Sequence, residues 1–356
     1  MTIKRSILSI LLLCLFFLLQ GENKEDNLFF SKDLNPISED NIYQCDGYYI
    51  WDTSIVKGDD GKYNLVYSRW DKKDGFGGWL VFSEVVYAVS DSPTGPWKYK
   101  KVLLKGRGNG YWDELSVHNP VLKFFNGKYY LYYNSTNLEN RKINEEELID
   151  IGKQGSYHPL WTVVRNNQRV GVAVASSIDG PWERADKPLI EPSGPIATIT
   201  NNPAVTEKEG VFYLIVKGDK PNETRFVRNQ AIALSNSPEG PFVMQEKAVI
   251  DYLDTEDASL WYDAKRDYFY AVFHTNTDGG FIGMVSSPDG VNWNKANEFK
   301  IMPKKILMSN GDYLLPQRLE RPFVYVEDSE PKVLALAVKE GDNSYLVFIP
   351  FNKKHK

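Results

Sequence analysis

The stretch Ser90-Asp91-Ser92-Pro93-Thr94-Gly95-Pro96-Trp97 recurs in modified form three more times along the chain. The other copies begin at Ser176, Ser235 and Ser286, and each follows a short apolar run such as Val85-Val86-Tyr87-Ala88-Val89. Self-similarity at intervals of tens of residues is the signature of a repeat architecture. Proline and glycine within one short motif are typical of a turn between strands. This repeated motif therefore predicts that one small β unit recurs along the chain.

Each unit contains further strands on both sides of the repeated motif. A short strand with a polar residue near its start comes first, and an aromatic strand follows after a turn such as Asp60-Gly61 or Asn126-Gly127. These dipeptides suit tight hairpins because glycine reaches positive φ at little cost. The apolar run before the motif is then the third strand, and the segment after it is the fourth. The five first-strand openings fall at residues 51–56, 118–122, 201–205, 256–261 and 320–324.

Five openings, five hairpins and four copies of the motif predict an all-β fold. We expect a five-bladed β-propeller, with four-stranded antiparallel blades around a central channel. A β-sandwich with long loops would explain the strands but not their repeated order. The predicted propeller domain covers residues 48–356, after a polar and loosely ordered lead-in over residues 22–47. An insertion over residues 137–168 contains a helix-like stretch and is expected to roof a pocket on one rim.

The N-terminus has the pattern of a secretory leader. Lys4 and Arg5 precede an apolar run from Ile7 to Leu19, which is too short for a confident membrane span. We therefore predict a signal peptide over residues 1–21 and an exported, periplasmic or secreted, bacterial protein. The net charge of −5 and the lack of a basic stripe argue against a nucleic-acid partner.

The two cysteines agree with export. Cys14 lies inside the apolar run, in surroundings that make a poor lipoprotein site, so a lipid anchor is the less favoured alternative. Removal of the leader leaves only Cys45, which excludes an intrachain disulfide. An exported chain without disulfides fits a periplasm and a core large enough to be stable alone.

The first strand of a propeller blade lines the channel, so polar residues at the five openings should converge at one mouth. Aspartate and asparagine also cap turns commonly, and for Asn119 and Asn202 that structural role is an equal alternative. For Asp52 and for Glu256 with Asp257 we favour a functional role. The opening residues are Asp52, Asn119, Asn202, Glu256 with Asp257, and Glu320 with Arg321.

Two carboxyl groups that face each other across a pocket are the minimum for hydrolysing a glycosidic bond. One donates a proton to the leaving oxygen, and the other activates water or attacks the sugar carbon. We predict that Asp52 is the base and Glu256 the acid. A glutamate acid needs a raised pKa, which desolvation in a closed, aromatic-lined site would supply.

The arrangement resembles the five-bladed glycoside hydrolases of families 43 and 117 over nearly the whole mature chain. The resemblance rests on Asp52 followed by Ser54-Ile55-Val56, on the Asn119-Pro120 and Asn202-Pro203 openings, and on Glu256-Asp257. It implies a first-blade base, matching Asp52, and a fourth-blade acid, matching Glu256 or its neighbour. It also implies an inverting mechanism and no organic cofactor, and some relatives hold a structural cation such as calcium in the channel.

Asn202 departs from this pattern. The resemblance implies an aspartate there, which would tune the pKa of the acid and orient the substrate. Because asparagine carries no charge, either Asp219 or Asp257 would compensate, or the acid is tuned differently. Family 117 uses a histidine as acid, and no histidine stands at this opening. Asn202 and Asp257 are assigned pKa-modulating or orienting roles.

Further residues at openings and strand ends are predicted to bind substrate, with core or solvated roles as alternatives. The guanidinium of Arg321 suits a substrate carboxylate or sulfate, or a structural pair with Glu256 or Asp257. For His274, which ends a second strand, a buried structural role is favoured. No metal site is predicted, because the four histidines lack metal-ligand spacing. The predicted substrate-binding residues are Trp51, Arg69, Trp70, His118, Asn119, Asp219, His274 and Arg321, with Trp79, Trp112 and Trp161 as further stacking candidates.

The sequence thus predicts an exported, exo-acting glycoside hydrolase for oligosaccharides of plant or algal polysaccharides, including acidic or sulfated ones. The expected partner is the oligosaccharide substrate, with no nucleic acid and no stable membrane span, and the chain is expected to be a monomer or simple homo-oligomer. Two alternatives stay open. Asn202 favours a non-catalytic glycan-binding propeller, and a glycoside phosphorylase would need several cations around the acceptor site.

Overall fold

The computed structural model describes residues 25–223 and 226–352. The predicted signal peptide over residues 1–21, with Cys14, lies outside them. Within the described residues, five four-stranded antiparallel sheets contact one another in a closed ring. The fold is a five-bladed β-propeller, which confirms the prediction from the repeated motif.

The blades follow each other in chain order, with their first strands innermost. The N-terminal strand β1 (Ile42–Tyr43) belongs to the last blade, and the first blade contains β2 (Tyr48–Lys57), β3 (Tyr63–Asp71), β4 (Glu84–Ser90) and β5 (Lys98–Leu104). The second and third blades contain β6 (His118–Phe125), β7 (Lys128–Ser135), β8 (Arg169–Ala175), β9 (Glu183–Arg184), β10 (Ala197–Lys208), β11 (Val211–Asp219), β12 (Arg228–Ser235) and β13 (Val243–Ile250). The fourth contains β14 (Thr255–Asp263), β15 (Tyr268–Thr275), β16 (Phe281–Ser287) and β17 (Asn294–Pro303). After a small hairpin of β18 (Ile306–Leu307) and β19 (Tyr313–Leu314), the fifth contains β20 (Arg318–Glu327), β21 (Glu330–Glu340) and β22 (Asn343–Pro350).

The repeated motif makes the turn from the third to the fourth strand of the first four blades, as predicted. Its aromatic residue also packs against the neighbouring blade. The ring of Trp97 lies 5.3 Å from that of Phe348 on β22, and Phe242 is buried with Val121 and Tyr132 of the second blade. The motif therefore fixes blade register and joins adjacent blades.

Helices occur in two excursions on one rim. They are α1 (Trp79–Phe82), α2 (Glu145–Gln154) and α3 (Trp161–Asn166). The side chain of Asn144 caps α2 by accepting from the amide of Glu147 at 2.8 Å, and the helix lies inside the predicted insertion. The backbones of these two excursions lie in close contact. A Cβ atom added to Gly77 would lie only 2.4 Å from the carbonyl oxygen of Gly152. Over the described ranges, no helix has both the length and the apolar character needed to cross a membrane.

The lead-in over residues 22–47 is packed rather than loosely ordered where the structure describes it. Strand β1 pairs with β22, with Ile42 opposite Val347, and so supplies the fourth strand of the last blade. Phe30 is 1% exposed and stacks on Trp261 at 5.8 Å. The average composition of the lead-in is polar, and this conceals the apolar side chains that the lead-in buries. The N-terminal segment thus covers a sheet edge that would otherwise be unpaired and closes the ring.

Candidate functional site

The innermost strand of every blade carries the same irregularity near its start. The ladder shifts register there, as in a β-bulge, and one residue adopts φ between 53° and 65°. A bulge bends the strand and re-aims its side chain. Aspartate and asparagine tolerate this conformation better than most residues, whereas arginine adopts it rarely. The five residues are Asp52, Asn119, Asn202, Asp257 and Arg321.

These five side chains form a closed polar ring at the channel mouth, as the openings predicted. Arg321 donates from Nε to Asp52 and from Nη1 to Asp257. Asn202 donates to the same Oδ1 atom of Asp257. The amide of Asn119 lies between Asp52 and Asn202 and donates to one or the other according to its orientation. The ring therefore alternates anionic, cationic and amide groups that satisfy one another.

A cavity of about 330 Å³ lies directly beside this polar ring. Tryptophan side chains wall it, and Trp161 and Arg165 reach it from the insertion, which agrees with the predicted roof. A largely apolar cavity with a few convergent polar groups is the usual form of a small-molecule site. On each inner strand the residue before the ring position also lines it: Trp51, His118, Asn201, Glu256 and Glu320.

Asp52 is 1% exposed and does not itself line the cavity; it borders a smaller space in the channel, together with Asp257 and Arg321. Its Oδ2 atom accepts a hydrogen bond from Ser68 at 3.3 Å and lies 3.7 Å from Nε2 of His118. Burial, together with the charge of Lys217, lowers the pKa of His118 to about 3. His118 is therefore neutral near pH 7, and Arg321 is the cation that balances Asp52.

Glu256 contacts two cations that also line the cavity. Its carboxylate accepts from Nζ of Lys217 and lies 2.7 Å from Nη2 of Arg228. Burial raises the pKa of Glu256, but Lys217, Arg228 and His274 outweigh it and hold this pKa well below its usual range. The expectation of a raised pKa is therefore wrong for the free protein. The sequence does not reveal that β11 and β12 bring two cations to this carboxylate.

Asp257 lines the cavity and is paired with a second buried cation, His274. Its Oδ2 atom lies 2.9 Å from Nδ1 of His274. Burial lowers the pKa of His274, but the carboxylates of Asp257, Glu320 and Glu256 overcome this and raise it to about 9. His274 is thus cationic at neutral pH and contacts Asp257 rather than the cavity, which matches the structural role favoured from the sequence.

Asp257, His274 and Glu320 place potential metal-ligand atoms within 4.8 Å of one another. Calcium prefers roughly six to eight oxygen ligands. This set supplies two carboxylates and one imidazole, and Arg321 already brings positive charge to Asp257. These three residues therefore do not fit the structural cation that the resemblance implies.

Three predicted substrate-binding residues do not line the cavity: Arg69, Asp219 and His274. Arg69 pairs with Glu84 at 2.7 Å. Asp219 accepts from both terminal nitrogens of Arg165 and so positions that side chain at the cavity. Of the further stacking candidates, Trp112 stacks on Tyr133 within the second blade at 5.7 Å, whereas Trp79 lines the cavity.

Sequence analysis missed Arg228, Arg318 and Gln168, which all line the cavity. Arg228 begins β12, and Arg318 begins β20. None of the three is adjacent in sequence to one of the opening residues that the repeat pattern identifies. The clearest available signal was that Arg318 lies two residues before the fifth opening.

The sequence matches no known family profile and no curated protein. Among solved structures, Zg3597, a family 117 glycoside hydrolase of the marine bacterium Zobellia galactanivorans, aligns over 92% of this chain and 91% of its own, with a TM-score of 0.62 and 18% identity. A thermostable family-43 glycoside hydrolase aligns over 91% and 96%, with a TM-score of 0.60 and 13% identity. The catalytic domain of the Coprinopsis cinerea GH62 α-L-arabinofuranosidase aligns over 90% and 97%, with a TM-score of 0.57 and 13% identity. The chain therefore shares the fold of these glycoside hydrolases, as its resemblance to families 43 and 117 implied.

Proposed function

We propose that this protein is an exported glycoside hydrolase that acts on oligosaccharides from plant or algal polysaccharides. The observation that carries the proposal is a tryptophan-walled cavity lined by Glu256 and Asp257, with Arg321 joining Asp257 to the buried Asp52. Aromatic faces bind sugar rings well, and fixed carboxylates supply acid–base chemistry. The shared fold supports an enzyme of this class. Export rests on the leader predicted over residues 1–21.

In the proposed reaction Asp52 is the general base and Glu256 the general acid. The oxygen of a water molecule bonds to the anomeric carbon as the bond from that carbon to the leaving oxygen breaks. A proton of the water passes to Asp52, and the proton of Glu256 passes to the leaving oxygen. Arg321 pairs with Asp52, and the ionised carboxylate of such a pair is the form that a base requires. Inversion would need the two carboxyl groups to lie roughly 6.5–9.5 Å apart, to leave room for the water. The roofed cavity favours a chain end and hence exo-action.

A non-catalytic glycan-binding propeller is the second candidate. The state of Glu256 favours it, because a carboxylate held ionised by two cations lacks the proton that an acid must donate. A phosphorylase gains some support from the cations of the cavity, although each of them contacts a carboxylate. Those cations are Arg165, Lys217, Arg228, Arg318 and Arg321.

Turnover on a panel of aryl glycosides and algal oligosaccharides tests the proposal. We expect Asp52→Asn and Glu256→Gln each to reduce kcat by about 10²–10⁴-fold, the usual contribution of acid–base catalysis. Asp60→Asn, at an exposed turn, is the control and should retain full activity. The loss in Glu256→Gln should shrink on dinitrophenyl glycosides, because such leaving groups depart without a proton.

The alternatives give different results in the same assay. Binding without turnover on every substrate would favour the glycan-binding propeller, and turnover that requires phosphate would indicate a phosphorylase. Full activity in both Asp52→Asn and Glu256→Gln would refute the catalytic pair.

A further inference from the structure

Lys217 and Arg228 share one carboxylate inside the cavity. Lys217 comes from the end of β11 and is 7% exposed, and Arg228 comes from the start of β12. Both line the cavity beside the Glu256 carboxylate that they contact. Among the described residues, Glu256 is the only ion-pair partner of Lys217, whereas Arg228 also pairs with Asp254.

This arrangement conflicts with proton donation by Glu256 unless the cations find another partner. Neutral sugar hydroxyls cannot replace a carboxylate beside a buried ammonium, since an unpaired buried charge is strongly unfavourable. An anionic group can replace it. Guanidinium and ammonium groups together are suited to carboxylate or sulfate oxygens.

We propose that Lys217 and Arg228 form a subsite for an anionic substituent of the substrate sugar, a carboxylate or a sulfate ester, whose binding frees Glu256 to take up a proton. This inference rests on the proposed function, because it assigns the acid role to Glu256. The charges balance: the ligand brings one negative charge, and Glu256 gains one proton. Glu256 is therefore protonated, and able to act as the acid, only when an anionic sugar is bound.

The other charged groups around Glu256 do not offer this exchange. His274 on β15 is held by Asp257 at 2.9 Å and does not line the cavity. Glu320 on β20 is an anion and pairs with Arg318 at 2.7 Å. Arg321 is engaged by Asp52 and Asp257 in the polar ring. Lys217 and Arg228 are thus the cations whose transfer from Glu256 to another anion changes the protonation state of Glu256.

Calorimetric titration with monosaccharides tests the subsite without any glycosidic bond to cleave. The probes are D-galacturonate, D-galactose 6-sulfate, D-galactose and inorganic phosphate, each titrated near pH 6 in two buffers of different ionisation enthalpy. We expect at least one anionic sugar to bind ~10-fold or more tightly than galactose and to take up about one proton per site. Galactose should bind without proton uptake, and the uronate and sulfate arms identify the preferred anion.

Matched variants assign the effect to residues. Glu256→Gln should still bind the anionic sugar but without proton uptake, whereas Lys217→Met and Arg228→Met should lose the preference for it. Lys217→Arg keeps the charge and should keep the preference for the anionic sugar. The comparison with Lys217→Met therefore distinguishes loss of charge from misfolding. Lys220→Met is the control and should behave as wild type, because this half-buried lysine contacts the carbonyl of Asp251 and does not line the cavity.

Three results would overturn the proposal: no preference for either anionic sugar, proton uptake that persists in Glu256→Gln, or tighter binding of inorganic phosphate than of both anionic sugars. These results do not depend on turnover. A protein that binds anionic sugars with proton uptake but hydrolyses nothing would retain the subsite and refute the hydrolase. An active hydrolase without the preference would do the reverse.

Discussion

At the scale of single residues, Asn202 stands where the resemblance implies an aspartate, and its contacts explain the substitution. Its amide nitrogen donates to Asp257, which already provides the carboxylate of this part of the polar ring. We expect Asn202→Asp to lower the free energy of unfolding by about 2–4 kcal/mol at pH 7, because a hydrogen bond becomes a repulsive contact between buried carboxylates. Urea unfolding followed by tryptophan fluorescence measures this change.

The matched control is Asn126→Asp. Asn126 also has positive φ, at 49°, but it is exposed at a turn, so this change should have little effect. The cost of Asn202→Asp should shrink in acid, where the new carboxyl group is protonated. Equal stability of Asn202→Asp and wild type at pH 7 would show that the ring accommodates a third carboxylate.

The sequence predicts the residues of the site that open a repeated strand, but it does not predict the contacts that form between blades. Asp52, Asn119, Asn202 and Arg321 were all placed at one mouth, because each opens a repeated strand. The pairing of Glu256 with Lys217 and Arg228 was not predicted, since it joins strands of different blades. Local patterns reveal which residue starts a strand, whereas ion pairs across blades depend on the whole fold.

At the scale of elements, the N-terminal segment closes the ring through burial that its composition conceals. Phe30 packs on Trp261 and lies 4.9 Å from Phe351, while its neighbour Phe29 is 49% exposed. We expect Phe30→Ala to cost about 3–5 kcal/mol of stability, by lost burial and a residual cavity. Phe29→Ala should cost less than about 1 kcal/mol. Equal urea midpoints for the two variants would contradict the closing role of this segment.

The repeated motif predicted the blade turns because proline and glycine act locally. The closing strand β1 gave no such signal, because it is two residues long and pairs with β22 near the opposite end of the chain. Short strands of this kind are defined by the edge they cover rather than by their own periodicity.

At the scale of the whole molecule, two buried histidines should give stability a maximum near pH 6.5, the ordinary pKa of an unfolded histidine. Burial and Lys217 lower the pKa of His118 to about 3, so its contribution is present above 6.5 and is lost as the pH falls from there. The pKa of His274 is lowered by burial but raised overall to about 9 by Asp257, Glu320 and Glu256. Its contribution is therefore complete below 6.5 and is lost as the pH rises towards 9.

The alkaline loss can be assigned to one residue. A pKa difference of one corresponds to about 1.4 kcal/mol, so we expect the titration of His274 alone to lower the free energy of unfolding by roughly 3 kcal/mol between about pH 6.5 and 9. Urea unfolding at intervals across this range measures it. His274→Gln should be less stable at pH 6.5 but should lose this slope, because it removes the group that titrates. His158→Gln, a change of a half-buried histidine outside the ring, should keep the slope. If the slope persists in His274→Gln, the Asp257–His274 pair is not what makes the stability of the propeller depend on pH in this range.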